Sequence, residues 1–99
     1  MTADPDRQPA TRRVVVRYHG DVQGVGFRAT AVQQAAGLRI DGFVRNEADG
    51  SVLMDAQGPP ADVKELLRRI QAQMGHHIGE SLIDRRDPLD DRQGFSIRY

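Results

Sequence analysis

The 99 residues balance 14 lysines and arginines against 14 aspartates and glutamates, a formal net charge of +0, with 38% hydrophobic and 28% charged side chains. That is the make-up of one ordinary globular domain with a modest core. It excludes an unstructured chain and provides no bulk field to draw in a nucleic acid or a membrane surface. With no cysteine there is no disulfide, thiolate or cysteine–zinc chemistry, and no apolar run approaches membrane-spanning length, so a cytoplasmic protein held by packing alone is expected.

Residues 1–11 are polar, contain Pro5 and Pro9, and lack the apolar stretch of a signal peptide. They are expected to form a disordered arm, leaving 12–99 as the folded domain. Alternation predicts a strand over 13–19, with Val14, Val16 and Tyr18 on one face. A glycine-rich stretch follows, Gly20-Asp21-Val22-Gln23-Gly24-Val25-Gly26-Phe27-Arg28, and then a helix over 29–36 closed by Gly37. The stripe of Ala29, Val32, Ala35 and Ala36 on that helix is narrow, which suits close approach to a sheet. A second strand over 40–46 carries Phe43 and Val44 and turns through Asn46-Glu47-Ala48-Asp49-Gly50, where Asp-Gly is a hairpin signal. Val52, Met54 and Ala56 then line one face of a third strand, which Gly58-Pro59-Pro60 stops.

Val63, Leu66, Leu67, Ile70 and Met74 recur at helical spacing, with proline tolerated in the first turn and Gly75 closing the last. A fourth strand is expected over 78–86 around Leu82 and Ile83, although its facing is ambiguous. A polar loop over 88–93 and a short terminal strand with Phe95, Ile97 and Tyr99 complete the chain. The order is β-α-β-β-α-β plus the short strand. The simplest α+β architecture for it is a ferredoxin-like split βαβ sandwich, an antiparallel sheet with two helices on one face. There the first two strands run parallel with another between them, so their carboxyl ends share one edge. Arg28 and Asn46 are 18 residues apart in sequence and are expected to be neighbours in space.

The glycine stretch suits an anion. Glycines permit positive φ and close backbone approach, successive N–H groups can converge in a nest, and a helix start adds unpaired N–H groups and a positive dipole end. Arg28 would add a planar charged fork matched to phosphate oxygens. Other motifs fit less well. Gly24 to Ala29 matches G-x-G-x-x-A formally, but the chain is short for a doubly wound domain and the second strand ends in Asn46 where an acidic ribose ligand belongs. The aromatic–glycine run of an RNA-recognition module would need its aromatics on a strand, and a Walker loop would need G-K-[ST].

Val22-Gln23-Gly24-Val25-Gly26-Phe27-Arg28, followed by Gly42-Phe43-Val44-Arg45-Asn46 and Asp49-Gly50-Ser51-Val52, resembles the acylphosphatase family. Gly58-Pro59 and Gly94-Phe95 extend the likeness from about Arg12 to Tyr99. The resemblance implies the same sandwich and hydrolysis of the carboxyl–phosphate bond of small acyl phosphates, with no cofactor and no metal; a monomer is expected, and the charge balance asks for no nucleic-acid or membrane partner. It implies that Arg28 and the backbone of Gln23, Gly24, Val25, Gly26, Phe27 and Arg28 hold the phosphoryl group, and that Asn46 orients the attacking water. Two departures stand out. Phe43 occupies a site where many members have tryptophan, and Ala31 one where many have threonine.

Simpler structural readings stand beside these. Arg28 by type alone is a helix-start surface residue, and Asn46 alone is a turn-former. Tyr18 and Phe27 read as core, His76-His77 as a solvated helix-end pair, His19 as a surface strand position near the loop, and Arg85-Arg86 as a solvated charge cluster. The alternative functions kept open are a non-catalytic anion-binding or interaction domain of the same fold, and a carbamoyl-phosphate module of a larger maturation system.

Overall fold

The computed structural model describes residues 10–99, and the arm expected at the amino terminus lies, over 1–9, outside the described residues. Five strands and two helices follow one another as β1 (Arg12–Gly20), α1 (Phe27–Gln34), β2 (Asp41–Asn46), β3 (Val52–Gly58), α2 (Pro60–Met74), β4 (Ile78–Arg86) and β5 (Phe95–Arg98), with a 3₁₀ turn at Gly75–His77. The sheet order is β4-β1-β3-β2-β5. β1 and β2 each pair antiparallel with β3, so they run parallel to one another on either side of it, as the split βαβ reading requires.

Alternation decides which face is buried. Val16 and Val44 both stand opposite Met54, and the three form a fully buried row across the sheet. Val63, Leu66, Ile70 and Met74 of α2 and Phe27 and Ala31 of α1 close over that face. Each of these side chains other than Ala31, taken from water, is worth about 1.5–3 kcal/mol. Pro60 opens α2 where its missing N–H costs nothing, and the Pro59 carbonyl accepts from Asp62 and Val63 at 2.9 and 3.0 Å.

Three details depart from the expectations. α1 begins at Phe27 rather than Ala29, so Arg28 lies in its first turn. β5 runs parallel to β2, pairing Phe43 with Ser96 and Val44 with Ile97, so the sheet is mixed, with an antiparallel body and one parallel edge pair. The cause is the route of the chain: the 87–94 segment crosses the face opposite the helices before β5 begins. Finally, β3 is buried on both faces. On the outer face Asp55 accepts from Arg13 Nε and Nη2 at 3.1 and 2.8 Å and from Arg92 Nη1 at 2.7 Å. Beside it the Gln57 carboxamide donates to Leu89 O at 2.7 Å and accepts from Leu89 N at 2.9 Å. Those contacts pin the 88–93 loop over the sheet. β4 lies at the edge, and its exposed Leu82 and Ile83 explain why its facing was ambiguous.

Candidate active site

The glycine stretch leaves β1, passes through Gly24 at φ 76° and Gly26 at φ 77°, and enters α1 directly. Both values lie in the left-handed region, which costs residues with a Cβ about 1–2 kcal/mol. Phe27 anchors the entry: it is 2% exposed, with its ring 4.9 Å from that of Tyr18. Burial pushes the Tyr18 hydroxyl pKa up, which keeps it neutral.

Several backbone N–H groups at this turn donate no backbone hydrogen bond among the described residues. The N–H groups of Phe27, Arg28 and Ala29 precede the first intrahelical acceptor, Gly26 O, which takes Thr30 N at 2.9 Å. Among the described residues, the amides of Gly24, Val25 and Gly26 donate no backbone hydrogen bond either. The first turn of α1 contains no acidic residue, and a cation there opposes the usual dipole preference. A bound dianion would satisfy the dipole, the open amides and Arg28 together.

Asn46 ends β2 opposite Val52, at the rim where β1 also delivers its loop. A cavity of about 230 Å³ lies there, lined by Val22, Gly24, Gly26, Phe27, Arg28, Ala29, Asn46, Ile97 and Tyr99. Arg28 and Asn46 are thus brought into one small space. Among the described residues, no side-chain hydrogen bond engages either of them. Gln23 and Val25 do not line the cavity: Val25 faces solvent, and Gln23 turns toward the β2–β3 hairpin.

Behind Asn46 the hairpin is held by charge. Glu47 lies 3.7 Å from Arg17 and 3.3 Å from Arg45. Asp49 accepts from the Ser51 hydroxyl at 2.6 Å and the Ser51 amide at 2.9 Å, and those bonds hold its pKa below the ordinary carboxylate value. The two carboxylates of the hairpin are therefore occupied by arginine or by the turn.

Sequence reasoning missed the wall formed by Ile97 and Tyr99. The Arg28 guanidinium sits 5.0 Å from the centre of the Tyr99 ring. Alternation of Phe95, Ile97 and Tyr99 was visible, but nothing in it indicated that β5 lies beside β2. Ala31 is fully buried in the core, away from the cavity lining. The rings of His76 and His77 lie 4.0 Å apart, tilted by 44°, in the 3₁₀ turn, and among the described residues no group of three or more potential ligands is placed to hold a metal ion. Arg86 is exposed and pairs with Asp84 at 2.7 Å, the solvated cluster expected there.

Comparison with known proteins identifies the family and the fold. A sequence profile of the acylphosphatase family matches residues 14–97. An acylphosphatase of Salinibacter ruber is 38% identical over 88 residues, covering 88% of this chain and 93% of that protein. One from Rhizorhabdus wittichii is 54% identical over 65 residues, 66% of this chain and 62% of the relative's length. The crystal structure of acylphosphatase from Bacillus subtilis superposes with a TM-score of 0.79 at 25% identity, covering 89% of this chain and 99% of the other. The chain belongs to the acylphosphatase family.

Proposed function

We propose that this enzyme hydrolyses small acyl phosphates to a carboxylate and inorganic phosphate, with the grip at the 23–28 loop and the water held by Asn46. The observation that carries the reading is the shared cavity: a guanidinium and open amides on one wall, an uncommitted carboxamide on another. At about 230 Å³ it suits a phosphoryl group with a small acyl portion better than a nucleotide-sized ligand.

The leaving group determines what the residues must do. A carboxylate departs with the electron pair of the broken P–O bond and needs little protonation. What remains is to hold the dianion, stabilise its equatorial oxygens and place a water in line with the leaving oxygen. Arg28 and the loop amides serve the first two needs, because donors fixed in advance act on the charge that develops in the transition state. Asn46 serves the third. Its amide oxygen accepts from the water, while a carboxylate there would repel the substrate. The water oxygen bonds to phosphorus; one of its protons passes to a phosphoryl oxygen of the substrate, and the other stays on the new P–OH.

The test is hydrolysis of benzoyl phosphate with a chelator present, by wild type, Arg28→Lys and Asn46→Ala. Expected are activity that survives chelation, competition by inorganic phosphate, and losses of about 10²–10³ in either variant. Phosphate binding without turnover would instead indicate a non-catalytic anion-binding domain, and loss on chelation would refute a metal-free reaction. The same reading takes residues 12–99 as the catalytic domain of a cytoplasmic monomer. A cysteine-free composition is compatible with that compartment, and sedimentation checks the oligomeric state.

A further inference from the structure

Gln23 belongs to the glycine stretch, yet its side chain leaves the cavity and crosses to the other half of the site. Its Nε2 donates to the Glu47 carbonyl and to the Ser51 carbonyl, each at 2.8 Å. Those carbonyls are the two ends of the hairpin loop that begins beside Asn46. Glu47 N closes that loop on Ser51 O at 2.8 Å, and Gly50 N donates to Glu47 O at 3.2 Å. Both protons of one carboxamide nitrogen are therefore used, on acceptors far along the chain. Among the described residues, no other side-chain hydrogen bond joins the 21–28 loop to the 46–51 hairpin.

The chemistry requires a neutral group with two N–H donors on one atom. A glutamate would turn an acceptor toward two carbonyl oxygens, and a methionine would fill the space and leave both carbonyls without this donor. We infer that Gln23 is a positioning residue, a strut that holds the hairpin carrying Asn46 in register with the loop carrying Arg28. The inference rests on the roles proposed for those two residues. Displacement of about 1 Å between the water and the phosphorus is enough to cost up to about 10²-fold in rate.

Gln23→Met, Gln23→Glu, Asn46→Ala and the Gln23→Met/Asn46→Ala double variant test it, each checked for folding by circular dichroism. For Gln23→Met the expected result is a fall in kcat of about 10–100-fold, with the inhibition constant for inorganic phosphate nearly unchanged. In the Asn46→Ala background the same change costs little more, because the group being positioned is already gone. In Gln23→Glu the protonated carboxyl regains one O–H donor. Its kcat relative to wild type therefore recovers as pH falls through that carboxyl's titration, and Gln23→Met shows no such step. A purely structural tie would lower thermal stability without producing either the non-additivity or the acid recovery. Full kcat in folded Gln23→Met, additive losses, or phosphate inhibition lost in proportion to kcat would overturn the inference. Should Gln23→Met fail to fold, absence of acid recovery in Gln23→Glu overturns it alone. Full activity in Asn46→Ala would overturn the underlying reading and this inference with it.

Discussion

Replacing Asp55 with alanine removes the carboxylate that Arg13 and Arg92 share on the outer face of the sheet. The aspartate side chain is 5% exposed, and the two arginines are 15% and 14% exposed. Breaking a buried ion pair from one side costs about 3–5 kcal/mol, because the remaining charge is stranded. Here the arginines retain a narrow path to water, and the 88–93 loop above them can lift, so the lower end of that range applies, about 3 kcal/mol. A domain of this size has a total stability of about 5–15 kcal/mol, so the loss is large. Urea unfolding at pH 7, followed by circular dichroism, measures it, and a difference under about 1 kcal/mol would refute the claim that this triad is desolvated.

The pH dependence supplies a second check on the same group. Burial alone raises the Asp55 pKa, but hydrogen bonds from Arg13 and Arg92 outweigh it and hold the carboxyl below its ordinary value. A lowered folded-state pKa contributes stability above the unfolded value of about 4 and loses it as pH falls through the folded value. The stability gap between wild type and Asp55→Asn is therefore expected to narrow only in acid, below about pH 4. A gap that stays constant down to pH 2 would show that the carboxylate charge contributes nothing.

Leu66→Ala empties a fully buried position under α2 and is expected to cost about 2–5 kcal/mol in the same unfolding assay. Gly26→Ala meets no neighbouring atom but must hold φ 77°, so the expected penalty is about 1–2 kcal/mol from backbone strain alone, read as a shift in the urea midpoint. Tyr99 is fully exposed, so its contact with Arg28 contributes weakly; Tyr99→Ala is expected to raise KM for benzoyl phosphate about 2–5-fold, and Tyr99→Phe to leave it near wild type.

Much of this molecule is legible in its residues because hydrophobic periodicity and turn chemistry agree. Val14, Val16 and Tyr18 alternate, Val63 through Met74 recur at helical spacing, and both patterns face the same core. Element order then brings Arg28 and Asn46 to one rim without further information. What was hidden depends on tertiary partners. Asp55 and Gln57 alternate with the apolar Met54 and Ala56, and their burial depends on Arg13 and on the return of the 88–93 loop with Arg92 and Leu89. The direction of β5 has no local signature: it is fixed where Gly42 N donates to Gly94 O at 2.9 Å and Gly94 N to an Asp41 carboxylate oxygen at 2.7 Å. The start of α1 was displaced by two residues because Gly26, in the left-handed region, allows the helix to begin immediately after it.

The brevity of α1 has a kinetic corollary. Eight residues with two buried side chains cannot remain helical alone in water, since nucleation outweighs so few backbone bonds. The helix exists only once the sheet and α2 are there to receive Phe27 and Ala31. During refolding, catalytic turnover is thus expected to return no earlier than the circular-dichroism signal of the assembled sheet and longer helix. Adding inorganic phosphate should slow amide exchange in residues 27–30 before it affects the strands.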